Sequence, residues 1–318
     1  MRIVFMGTPD FAVETLAAIN DAGHEIALVV TQPDKPKGRS GKLQMSDVKQ
    51  YAIDHGLKVF QPEKIKNAES VAELSKYAPE LIVVAAFGQI LSKDILEMPK
   101  YGCINVHASL LPRLRGASPI QTSILEGDSE SGVTIQQMGE GLDTGDILSQ
   151  RSIPIDSTDT GGSLFDKLAK LGAELAVDTI EDIGNGRINP VPQDDSKASY
   201  AKKIDKQMGC IDWGNSAEAI ARQVRALDPW PSAYTKMGGK LLKVWKAEAL
   251  TGEVNVAEDK GSKVKHGEIT DITEDSITVK CGVGSLRLNE VQIEGKKRMT
   301  VHDFLLGHRP DVSTILGE

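Results

Sequence analysis

Asn105 and His107 stand two residues apart in the run Cys103-Ile104-Asn105-Val106-His107-Ala108-Ser109-Leu110-Leu111-Pro112. The run begins apolar, as a short strand does, and residues two apart on a strand share a face. An amide therefore lies beside an imidazole where the strand gives way to a proline turn. An uncharged donor next to a titratable ring, at the carboxyl end of a buried strand, suits acid–base work in an open α/β sheet. Taken singly, each side chain reads better as a polar strand end that caps a helix, and only the pair acting together points to chemistry.

A third candidate, Asp143, sits in Gly139-Glu140-Gly141-Leu142-Asp143-Thr144-Gly145-Asp146, where three glycines and three acids share eight positions. Acyl transfer to an amine needs a donor for the oxygen that becomes negative and a group to take the amine's proton. It also needs a carboxylate to set the orientation and tautomer of an imidazole. Asn105, His107 and Asp143 meet these needs without a nucleophilic Ser or Cys, so direct transfer fits better than a covalent intermediate. No cluster of His, Cys, Asp and Glu has metal-ligand spacing, and no metal is expected.

The elements that must position these residues read as a doubly wound, mainly parallel sheet of Rossmann-like kind. Arg2 to Met6 is a strand, Phe11 to Ile19 a helix and Ile26 to Thr31 the next strand, and that unit implies parallel pairing. The first turn, Gly7-Thr8-Pro9-Asp10, lacks the glycine spacing of a dinucleotide site. Leu81 to Ala86 is continuously apolar, as a central strand buried on both faces should be. Gly132 to Met138 alternates in the manner of an edge or half-buried strand. A long amphipathic helix from Gly162 to about Ile183 closes the domain.

Between the second strand and the next helix, residues 32–43 carry four basic residues against one acid. Two prolines and two glycines should keep them out of regular structure. The segment is longer than a plain connector, which leaves a functional loop and surface disorder both open. If functional, its charge suits a polyanion. Residues 189–206 read as a polar, proline-punctuated linker. Beyond it, Ser216 to Leu227 is a helix with a serine cap, and short strands follow between turns up to Gln292. That rhythm indicates a small β-barrel of OB-like kind, with a basic tip at Lys296-Lys297-Arg298. The division expected is 1–188, a linker 189–206, and 207–318.

The chain of 318 residues has a formal net charge of -8, which does not advertise a nucleic-acid binder. All of that excess lies in residues 1–188, whereas residues 189–318 hold 19 residues of each sign. Basic patches in the second part can therefore still meet phosphate. Three unpaired cysteines, no apolar run long enough to span a bilayer and no leader-like start point to a cytoplasmic protein. Nothing demands a partner copy, and a monomer is expected.

The run from Cys103 through Pro112 to Gln121, followed by Gly-Leu-Asp-Thr-Gly-Asp at 141–146, closely resembles the folate-dependent formyltransferases. Phe-Met-Gly-Thr-Pro-Asp-Phe-Ala at 5–12, Gln-Pro-Asp-Lys-Pro-Lys-Gly-Arg at 32–39 and the late Pro-Trp-Pro resemble the branch that acts on methionine carried by initiator tRNA. The resemblance spans essentially the whole chain. It implies a formyl group moving from 10-formyltetrahydrofolate to the methionyl α-amine of that tRNA. It implies that Asn105 binds the formyl oxygen, that His107 shares this or assists proton transfer, and that Asp143 holds His107 and accepts the amine's proton. Ser109, Leu110, Leu111 and Pro112, with Phe87 and Gly88, would line the folate site. Arg39 and Lys42, then Lys206, Lys296, Lys297 and Arg298, would meet tRNA. Ala108, where glycine is common in the family, is a small departure. An acceptor amine on a nucleotide, or hydrolysis of the formyl-folate, would use the same three residues.

Overall fold

Alternation of apolar runs with helical patterns gives the chain its first layer of structure. The computed structural model describes residues 1–37, 42–250 and 264–317. In chain order the first elements are β1 (Arg2–Gly7), α1 (Asp10–Asp21), β2 (Glu25–Val30), β3 (Lys35–Lys37), β4 (Lys42–Gln44), α2 (Asp47–Asp54), β5 (Val59–Phe60) and α3 (Ala68–Ser75). There follow β6 (Leu81–Ala85), α4 (Lys93–Leu96), β7 (Cys103–His107), β8 (Arg115–Gly116), α5 (Pro119–Glu126), β9 (Glu130–Gln137), β10 (Ile147–Pro154) and α6 (Gly161–Gly184).

A seven-stranded sheet takes the order β10-β9-β7-β6-β1-β2-β5. Strands β7, β6, β1, β2 and β5 run parallel, while β9 and β10 are antiparallel additions beyond β7. The chain leaves β1 toward β2 and β5, then returns to β6 on the other side. The strand order therefore reverses between β1 and β6, the position at which open α/β sheets bind ligands outside the carboxyl ends of their strands. Every residue of β6 is buried, which accounts for its unbroken apolar sequence.

Two local expectations need correction. Residues 130–137 are not an edge strand. They are buried along most of their length because β10 pairs outside them as the actual edge. The half-exposed alternation of β10, with Gln150 and Arg151 in its middle, hides it as a strand. Nor is the 32–43 segment wholly irregular, since β3 and β4 pair antiparallel with Pro36 opposite Leu43. A proline is tolerated in a two-stranded ribbon because a strand with one neighbour can leave a position without a ladder donor.

The remaining elements are β11 (Tyr200–Ala201), α7 (Ala217–Ala226), β12 (Ala233–Met237), β13 (Lys240–Leu250), β14 (Ile269–Ile272), β15 (Ile277–Lys280), β16 (Ser285–Ile293), β17 (Met299–Thr300) and α8 (Val301–Gly307). Strands β12-β13-β16-β15-β14 form an antiparallel sheet with β17 added to β16. Their inward residues, Leu242, Val244, Ile277, Val279, Leu286, Leu288 and Val291, share one core with Ile220 and Val224 of α7 and Phe304 of α8. Ser216 caps α7 by accepting from Ala219 N at 3.2 Å.

By compactness the chain forms two units. One comprises Met1–Pro119, Glu130–Pro154 and Phe165–Ala201, and the other Ile120–Ser129, Ile155–Leu164 and Lys202–Glu318. Residues 189–201 are structured. Val191 bridges Ile147, and β11 pairs in parallel with β8.

Candidate active site

His107 ends β7, and its ring is 6 % exposed. Its Nε2 lies 3.0 Å from the Leu114 carbonyl oxygen. A carbonyl can only accept, so Nε2 carries a proton and Nδ1 is the nitrogen left for chemistry. Nδ1 faces Asp143 Oδ1 at 3.8 Å. That separation is beyond a hydrogen bond, so the ring is held by the Leu114 carbonyl and not by the carboxylate.

Asp143 stands at φ 51°, a left-handed conformation that aspartate tolerates better than most side chains. Its carboxylate accepts from two donors. Gly116 N reaches Oδ2 at 2.8 Å, and Gln136 Nε2 reaches Oδ1 at 2.9 Å. Its own backbone is held as well, since Gln193 Nε2 donates to the Asp143 and Gly145 carbonyls at 2.9 and 2.7 Å. Gln193 Oε1 accepts in turn from Arg115 Nε and Nη2 at 3.1 and 2.8 Å. Arg115 is 2 % exposed, so this guanidinium is an internal strut that also reaches Asp195 at 2.7 Å. Gly145 is obligatory in the loop, because a Cβ there would lie 1.6 Å from the Gln137 carbonyl.

Asn105 lies between Val84 of β6 and Gln136 of β9 in the ladder. It is half-buried, and its side chain has no hydrogen-bond partner among the described residues. A free amide on the same strand face as the imidazole is what a carbonyl oxygen needs.

The turn after His107 is rigid. Ser109 Oγ donates to the Arg113 carbonyl at 2.7 Å and is 2 % exposed, and Leu111 is buried. Thr134 donates to the Ser109 carbonyl and accepts from Leu111 N, while Gln150 donates to both Thr134 and the Leu111 carbonyl. Leu110 and Pro112 are only half-buried, so they, not Ser109 and Leu111, present side chains outward. Phe87 is buried with its carbonyl held by Thr8 Oγ1 and Gln32 Nε2. Gly88 beside it is exposed at φ 81°.

The structure thus brings Asn105, His107 and Asp143 together and adds Gln136, Gln193 and Arg115. None of these three was singled out by sequence. The signal for Gln136 is its place opposite Asn105, legible only once β9 is paired with β7. Of the expected tRNA contacts, Arg39 lies outside the described residues, and for Lys42 only the β4 backbone is described. Lys206, Lys296 and Lys297 are exposed. Arg298 is engaged by Glu290 and Asp228 and lies 5.0 Å over the Trp245 ring, so part of its charge is already matched. Among the described residues no group of three or more His, Cys, Asp and Glu side chains could hold a metal ion, and no helix is long and apolar enough to cross a membrane.

Comparison with known families adds an independent line. The family described as formyl transferase matches residues 1–180, and its C-terminal domain matches residues 203–309. A methionyl-tRNA formyltransferase of Lachnospira eligens is 51 % identical over 318 residues, covering 100 % of both chains. That of Caldanaerobacter subterraneus subsp. tengcongensis is 48 % identical, covering 99 % of this chain and all of the other. Among solved structures, the sugar 3N-formyl transferase WlaRD, crystallised with dTDP and 5-N-formyl-THF, matches at a TM-score of 0.66. It is 21 % identical over 93 % of this chain and 99 % of its own. HypX from Aquifex aeolicus in complex with tetrahydrofolic acid matches at 0.63 and 18 % identity, over 98 % of this chain and 48 % of its own.

Proposed function

We propose that this chain, which belongs to the formyl transferase family, transfers the formyl group of 10-formyltetrahydrofolate to the α-amine of methionine esterified to initiator tRNA. The observation that carries the reading is near-half identity along the full length of relatives named for that reaction. The sugar-acting and HypX structures share the fold at far lower identity.

The chemistry follows from the groups present. The neutral methionyl amine attacks the formyl carbon, and charge builds on the formyl oxygen. Asn105, with an uncommitted amide, donates to that oxygen, and the His107 ring stands beside it. Asp143 accepts the proton that the amine loses as the new C–N bond forms. The bond from the formyl carbon to folate N10 then breaks. The proton returns to N10 through the His107–Asp143 pair, so the site ends as it began. No covalent formyl-enzyme is needed. Ser109 is buried and committed to a carbonyl, and burial pushes the Cys103 thiol up to about 12.

In this reading residues 1–188 carry the chemistry, 189–206 connect, and 207–318 engage tRNA. Lys206, Lys296, Lys297 and Arg298, with Arg39 and Lys42 of the earlier segment, meet its phosphates. Leu110, Pro112 and Gly88 border the folate, with Ser109, Leu111 and Phe87 buried behind them as support. The protein acts as a monomer in the cytoplasm. Incubation with radiolabelled formyl-folate tests the acceptor. Label should pass to methionyl initiator tRNA. Label passing instead to an amino-sugar nucleotide, or released as formate in buffer alone, would overturn the reading.

A further inference from the structure

Gln136 is 2 % exposed near the end of β9, where an aliphatic or threonine side chain would ordinarily fill a buried strand position. It stands directly opposite Asn105 in the β7–β9 ladder, so the two side chains share a sheet face. One half of its amide is used, since Nε2 donates to Asp143 Oδ1 at 2.9 Å. The other half is not, because Oε1 is buried with no hydrogen-bond partner. An unpaired buried carbonyl is costly, and packing does not require it. Turning the amide over would set Oε1 against the Asp143 carboxylate, oxygen against oxygen, which is worse. The orientation is therefore dictated by Asp143 alone, at the expense of an orphaned acceptor.

We infer that Gln136 is a positioning residue for formyl transfer, holding the Asp143 carboxylate with Oδ1 turned toward His107. The inference rests on the reading of this site as the formyl-transfer centre. Asp143 Oδ1 is the oxygen that faces His107 Nδ1, while Oδ2 is taken by Gly116 N. Gln136 occupies one lone pair of Oδ1 and so sets the direction of the one that remains. It also stabilises the anion by a charge-assisted hydrogen bond. The charged or titratable side chains on the elements around Asp143 include Cys103 and His107 on β7, Arg115 on β8, and Glu140 and Asp146 in its own loop. Arg115 is already bound to Gln193 and Asp195.

Two variants of the full chain test this against a merely structural role. Gln136→Met keeps length and burial but removes the donor. It should lower kcat about 10- to 100-fold through a misaimed base, with KM for methionyl-tRNA and formyl-folate within about 2-fold. Gln136→Glu can donate only when protonated, and when ionised it opposes Asp143. Its activity should recover as pH falls, which a misfolded protein does not do. Wild-type-like kcat in Gln136→Met, or no recovery of Gln136→Glu at low pH, would overturn the inference while leaving an active wild type as proof of the reaction. Failure of the wild-type chain itself to formylate methionyl-tRNA would overturn the reading, and this inference with it.

Discussion

A formyl carbon attacked by an amine develops charge on oxygen and acidity on nitrogen together, so a donor and an acceptor must already be in place. In the proposed mechanism Asn105 and Asp143 are those two groups, with His107 on the strand between them. Nearby nucleophiles are withdrawn by burial. Cys103 opens β7, and its thiol is pushed up to about 12; away from this site, Cys281 just after β15 is likewise pushed up to about 11. Only the thiolate reacts, so neither should alkylate near neutral pH, whereas the exposed Cys210 should. Native protein treated with iodoacetamide and mapped by mass spectrometry should carry label on Cys210 alone. Labelling of Cys103 at a comparable rate would mean that β7 opens in solution, and would weaken the case for a rigid site.

Elements supply what single residues cannot, namely a fixed Asp143. The glycine-rich loop has little conformational preference of its own, and Gln193 supplies the order by binding two of its carbonyls. Arg115 buttresses Gln193 from β8, while Asp195 is 82 % exposed and contributes at the surface. Gln193→Ala should therefore cost about 2 kcal/mol of stability and lower kcat, because a buried guanidinium loses its acceptor and the loop its anchor. Asp195→Ala should stay within about 0.5 kcal/mol with kcat unchanged. Thermal melts and steady-state rates would check both, and equal effects from the two would refute the clamp. These contacts also mark the limit of what the sequence reveals. The parallel strands are legible because a run such as Leu81–Ala85 must be buried on both faces. Asn105 and His107 are legible because strand period 2 fixes their common face. Gln193 is not legible, since its partners stand 48 to 78 residues away and its own neighbourhood reads as a proline-rich connector. The edge strand Ile147–Pro154 is missed for a related reason: half-exposed alternation broken by Gln150 and Arg151 resembles a surface loop.

At the scale of the molecule, the acidic excess of residues 1–188 and the balanced charge of residues 189–318 divide labour in a way that suits an anionic partner for the second part. Most of that division is legible from charge and from the change of strand rhythm after Pro231. Which lysines carry it is not, because Arg298 is matched by Glu290 and Asp228 only through folding. In the proposed reading Asn105, His107 and Asp143 complete a direct transfer with no nucleophilic side chain among them. The most direct measurement is single-turnover transfer of labelled formyl from formyl-folate to methionyl initiator tRNA, by the full chain and by Asn105→Ala and Asp143→Asn. The wild type should transfer directly, and each variant should be slower by about 10²- to 10³-fold with tRNA affinity retained. Variants that turn over at near the wild-type rate would contradict the account.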